Sequence, residues 1–169
     1  MPLFVGYRRF EGAGFSLIEV MVVLVIAIVL TLVAVPGMTN LFRDARLSTQ
    51  TDMLISTLNS ARLEAVKQRK NITVCPMTNA DTGTACSASA SDWTNGFGVW
   101  DGTAIIQRVA AKGDAAITTA ATSVVFVGTF GSTSAAASFT LCASGRKQQQ
   151  IDIGVSGHVS KKINSTLCS

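Results

Sequence analysis

The sequence predicts an α+β chain in which a long N-terminal α-helix packs on a C-terminal antiparallel β-domain. Three observations lead there. Residues 15–35 form an apolar run broken only by Ser16, Glu19 and Thr31, and residues 41–70 carry apolar side chains at helical spacing. From residue 71 onward, short β-like runs alternate with Gly, Ser, Thr and Asn.

The apolar run accounts for the unusual composition. The 169 residues are 48% hydrophobic and only 14% charged, and the excess over a small soluble domain sits in this run. As a helix it would be about 32 Å long at about 1.5 Å per residue, enough for a bilayer core of roughly 30 Å. Arg8 and Arg9 ahead of it predict that 1–14 lies in the cytoplasm and 37 onward outside. A cleaved secretory signal fits poorly, because the run ends in Ala34, Val35, Pro36 and Gly37 and gives way to an amphipathic pattern rather than a small-x-small site.

Glu19 is the anomaly. A carboxylate at the centre of a membrane helix costs about 2.5–3.5 kcal/mol, less near the interface. Either it has a polar partner or it snorkels to the headgroups. Pro36 deletes a backbone hydrogen bond and Gly37 weakens the helix further, so a kink is expected there with the helix continuing beyond it.

The junction Gly14-Phe15-Ser16-Leu17-Ile18-Glu19, followed by the apolar helix, resembles the class III signal of type IV prepilins and type II secretion pseudopilins. That resemblance implies a pilin-like fold with four parts: a leader at 1–14, a transmembrane and filament-core helix at 15–36, an amphipathic helix at 37–70 and a disulfide-stabilised β-rich domain at 71–169. It further implies cleavage by a prepilin peptidase between Gly14 and Phe15 and methylation of the new amino terminus at Phe15. Glu19 then becomes the fifth mature residue. Its carboxylate could pair with the amine of a neighbouring subunit, neutralising two charges that a filament core would otherwise bury unpaired. The partners implied are the inner membrane before assembly, the assembly platform, and the major pilin with other minor pilins, or pseudopilins. No cofactor is implied.

In 37–70, Leu41, Ala45, Leu54, Leu58, Ala61 and Ala65 form an apolar stripe that Phe42, Ile55 and Val66 widen. Lys67, Arg69 and Lys70 crowd the final turn, where cations favour the helix C-terminus. Strands are expected at 72–75, 96–100, 105–109, 123–127, 138–142, 150–153 and 157–160, in one sheet or two packed sheets, with mobile loops at 85–91 and 131–137. A hairpin around Asn95-Gly96 would place Trp93 and Trp100 on packing faces.

Cys75, Cys86, Cys142 and Cys168 all fall outside the predicted cytoplasmic leader, an even set suited to an oxidising compartment. Three connectivities are open. Pairing Cys75 with Cys86 and Cys142 with Cys168 is favoured, each bond stabilising by about 3 kcal/mol or somewhat more. No Cys pair has zinc-finger spacing, and His158 is the single histidine, so neither a metal site nor a Cys-His nucleophile is expected.

"SARLEAVKQRKNITVCP", "DWTNGFGVWD" and "SFTLCASGRKQQQIDIGVSGHV" resemble the minor-pilin subfamily called FimT in pili and GspH in type II secretion. The resemblance implies a structural subunit, not an enzyme: a type IV minor pilin with DNA uptake or twitching motility among its roles, or a pseudopilin. Arg146, Lys147, His158, Lys161 and Lys162 form a basic concentration able to meet DNA phosphate if strand pairing gathers them on one edge. DNA-capturing relatives use a Gly-Arg-x-Arg-like motif. Here the matching segment is Gly157-His158-Val159-Ser160 followed by Lys161-Lys162, so lysine point charges stand in for guanidinium forks.

Overall fold

A computed structural model describes the backbone of residues 15–111 and 115–168, with side chains at 33–37 outside the described set. Helix α1, Leu17–Gln68, is followed by strands β1 Ile72–Pro76, β2 Gly96–Trp100, β3 Ile105–Ala110 and β4 Ala116–Thr118. Then come β5 Val124–Phe126, β6 Ala137–Cys142, β7 Lys147–Ile153 and β8 Val159–Leu167. A short 3-10 helix, Ala90–Thr94, precedes β2. The chain divides into two compact units, Met1–Thr39 and Asn40–Ser169.

Within Asn40–Ser169, α1 buries Leu47, Gln50, Thr51, Leu54, Thr57, Leu58, Ala61 and Ala65, which recur every three or four residues and so share one face. Thr51 and Thr57 sit there because each hydroxyl donates to the carbonyl four residues back, Leu47 O at 2.8 Å and Met53 O at 2.9 Å. The stripe read from sequence needs correction at its start. Leu41, Phe42 and Ala45 are exposed, and Leu47 opens the buried face instead. The helix ends in an αL cap at Arg69 (φ 53°), with Lys70 N–H donating to Ala65 O at 3.3 Å.

Two four-stranded sheets pack around this face, in the orders β3-β2-β1-β5 and β4-β6-β7-β8. All their pairings are antiparallel. In β6 and β7 burial alternates with the pleat, sending Phe139, Leu141, Ile151 and Ile153 inward. Trp93 lies in the same core, fully buried, edge-on to Phe139 with ring centroids 4.8 Å apart. Its indole N–H donates to Ala121 O at 2.8 Å, while Trp100 is half-buried.

Five expectations change. β4 is an additional strand, and β7 and β8 are longer than the sequence suggests. Asn95-Gly96 is not a hairpin turn: Gly96 opens β2, and β2 turns into β3 through Asp101–Ala104. The stretch 85–91 is tethered, by the Cys75–Cys86 disulfide and by Ser87 N–H donating to Pro76 O at 2.8 Å. The stretch 131–137 is held too, since Thr133 bonds Val155 O and Gly154 O through its N–H and hydroxyl, both at 2.9 Å.

Asp101 organises the β2–β3 turn. Its carboxylate accepts from the Thr103 hydroxyl and from the N–H groups of Ala104 and Thr103, and these bonds lower its pKa to about 2. A depressed carboxylate stabilises the fold above its unfolded-state pKa and loses that contribution as pH falls through the folded value. NMR titration is expected to place the Asp101 carboxyl near pH 2, with the turn loosening between about pH 4 and pH 2. Titration at an ordinary aspartate pKa would overturn this account of the turn.

Candidate functional site

Two regions carry the residues singled out in the sequence. At the first, α1 begins two residues after Phe15, and the N–H groups of Glu19 and Val20 both bond Ser16 O. Glu19 is exposed in the first helical turn, where a negative side chain complements the helix dipole. From Leu17 to Leu32 every large apolar side chain is roughly half or more exposed, Leu17 at 78% and Val20 at 48%. Thr31 satisfies its hydroxyl internally on Ile28 O at 2.8 Å. Among the described residues no helix is long and apolar enough to cross a membrane. Gly14 and the proposed leader lie outside the described residues. The backbone is helical through Pro36 and Gly37, whose side chains are outside the described set.

The second region is the C-terminal sheet. The four cysteines form two disulfides, Cys75–Cys86 and Cys142–Cys168, each with Cα atoms 5.5 Å apart. The second bond lies beside the β6–β7 turn, where Gly145 N–H donates to Cys168 O and Cys168 N–H donates to Arg146 O. That turn aims Arg146 at α1, and its Nε and Nη2 grip both carboxylate oxygens of Asp44. A fork on a carboxylate fixes direction as well as distance.

Successive strand residues face opposite ways, so Lys161 and Lys162 part. Lys161 Nζ reaches Asp52 on α1 at 2.8 Å, whereas Lys162 Nζ reaches Asp152 on the outer face at 3.0 Å. Asp152 also accepts from Gln150 and the Ser138 hydroxyl. Those bonds, led by Gln150 and joined by Lys162, hold its carboxyl below the usual range. Lys147 opens β7 and His158 sits exposed in the β7–β8 turn, at opposite ends of a strand about 20 Å long. These five residues therefore do not converge on one edge, and three of them are held by carboxylates.

Gly157 has a backbone reason for its place. Its φ is +76°, and a Cβ there would collide with the Gly131 carbonyl oxygen. Arg62 Nη2 bonds Ser156 O at 3.2 Å beside it.

The pairing residues Asp44 and Asp52 carried no signal in the sequence, since they stand 102 and 109 residues from their cations. Arg146→Met and Asp44→Asn are each expected to lower stability by about 1 kcal/mol, with a coupling of similar size in the double-mutant cycle. Additive effects in denaturant melts would show that the pair contributes nothing.

Residues 50–157, well over half of the chain, match the family model described as Type II transport protein GspH. The chain belongs to the GspH family. The matched stretch takes in the buried half of α1, the first sheet and β6–β7, and leaves out β8 with Lys161 and Lys162. Crystal structures of the type IV minor pilin FimU of Pseudomonas aeruginosa (strain PAO1) share the fold. One, in space group P21, superposes with a TM-score of 0.55 at 16% identity, covering 74% of this chain and 97% of FimU. Another, in P65, gives 0.53 at 16% identity, covering 72% and 99%. No curated protein matches the chain. The family is thus that of GspH, and the fold is the one seen in the minor pilin FimU.

Proposed function

We propose that this GspH-family chain is a type IV minor pilin, made as an inner-membrane precursor and built into a pilus, or into the complex that initiates one, through its N-terminal helix. In this reading the prepilin peptidase removes 1–14 between Gly14 and Phe15, Phe15 is methylated, and Glu19 sets the docking register. The helix 15–36 exchanges lipid for neighbouring subunits at the assembly platform. Pro36 and Gly37 let the helix bend.

One observation carries the proposal: the unbroken sheath of exposed apolar side chains over Leu17 to Leu32, with Glu19 as its one ionisable group. An apolar surface of that extent needs lipid or protein around it. Glu19→Ala is expected to leave cleavage intact, read as the mass of a mature chain beginning at methylated Phe15, and to reduce incorporation into sheared filaments at least tenfold. Wild-type incorporation would sink the register role of Glu19.

The family description favours a second reading, a pseudopilin of a type II secretion system. In vivo cross-linking separates the two: major pilin as neighbour supports the first, pseudopilins the second. DNA capture gains little from the geometry, because Arg146, Lys161 and Lys162 already face carboxylates.

A further inference from the structure

Gln50 has no role in the assembly reading, yet it is the least satisfied polar side chain of the buried helix face. It is 6% exposed, and neither its amide nitrogen nor its amide oxygen has a hydrogen-bond partner. Burying an amide without partners is costly, so such groups mark places where something else completes the bonding. Gln50 opens on a groove of about 270 Å³ that Phe42, Thr49 and Met53 of α1 and Ala110 at the end of β3 also line. Thr49 and Met53 belong as well to a second groove of about 440 Å³, whose far wall is Gln107 and Val109 of β3. Together they form one channel along the border between α1 and β3.

β3 is an edge strand that pairs with β2 alone. Gly96 O accepts from Met77 N on the β1 side, and Pro76, which has no N–H, stands opposite Phe97. By alternation Phe97 and Val99 bond toward β3, through their partners Val109 and Gln107. The N–H and C=O of Arg108 therefore point out of the sheet, beside the channel. Among the described residues no proline or covering strand blunts this edge. The Arg108 side chain is exposed and donates to a neutral acceptor, Gly83 O at 2.8 Å.

We infer that the channel between α1 and β3 receives an extended segment of another protein, which adds to the first sheet as a strand on the β3 edge and bonds one of its peptide groups to the Gln50 amide. A carboxamide offers a donor and an acceptor side by side, the complement of a peptide group. Alternate side chains of the added strand enter the channel over Met53 and Phe42, so they are apolar. The guanidinium of Arg108 favours a carboxylate on the segment. The inference rests on the chain acting as a subunit with other subunits in reach.

The test uses the full-length chain in its own cells, with a photo-cross-linking residue at Gln107 and mass-spectrometric mapping of the products. The expected product joins Gln107 to one short segment of another protein, and Gln50→Leu lowers its yield at least fivefold while the melting temperature of the purified chain stays level or rises. Arg108→Pro, which removes an outward N–H, is expected to abolish the product. Cross-links that recur every three to four residues along a helix, that stay within the chain, or that survive Gln50→Leu unchanged overturn the inference. Co-fractionation with pilins without any Gln107 product sinks the inference and leaves the subunit reading standing. A strand-like product with a protein outside any filament does the reverse.

Discussion

Trp93→Ala is expected to lower the stability of the β-domain by about 3–5 kcal/mol, enough to remove much of a typical domain's margin. Trp93 is wholly buried, meets Phe139 edge-on at 4.8 Å and Phe97 at 6.0 Å, and anchors its N–H on Ala121 O. Alanine would leave a cavity between the two sheets, and little around it can collapse because β-ladders flank it on two sides. Trp93→Phe keeps a ring against Phe139 and loses the indole hydrogen bond, so its cost is expected near 1–2 kcal/mol. Urea melts followed by far-ultraviolet circular dichroism check both values. A loss below about 1 kcal/mol for Trp93→Ala would contradict its role as a core anchor.

Opening the Cys142–Cys168 bond is the second large effect. The bond closes 26 residues that contain β7 and β8 and their hairpin turn, and loop-closure entropy values it at about 3.5 kcal/mol. Cys142→Ala with Cys168→Ala is expected to lower the melting temperature by about 10–15 °C. The Cys75–Cys86 bond closes only 11 residues and is expected to matter less, at about 2.8 kcal/mol. Equal losses for the two double variants would contradict loop length as the cause.

The α+β architecture was legible because it rests on periodicity: alternating inward residues in β6 and β7 and spaced apolar residues along α1. β4 was not, since Ala116–Thr118 is too short to show alternation and takes its place by pairing with β6. The misplaced hairpin has a local lesson. Asp101-Gly102, an equally typical turn dipeptide, makes the turn, whereas the Gly of Asn95-Gly96 opens a strand. Leu41, Phe42 and Ala45 obey the helical period yet face outward, because period identifies a face without saying where the domain beneath it begins. At the candidate site the cations were legible as residues but not as pairs. Nothing local marks Asp44 or Asp52 as the groups that meet Arg146 and Lys161.

The two cross-links also set how far this domain can be drawn out under load. With both bonds intact, the 11 and 26 residues they enclose contribute no slack, withholding roughly 130 Å of contour at about 3.5 Å per residue. A subunit pulled from its ends would therefore lengthen in two instalments, the second released only by a reductant. Residues 75–86 and 142–168 would each stay closed by their own bond while the chain outside them gave way.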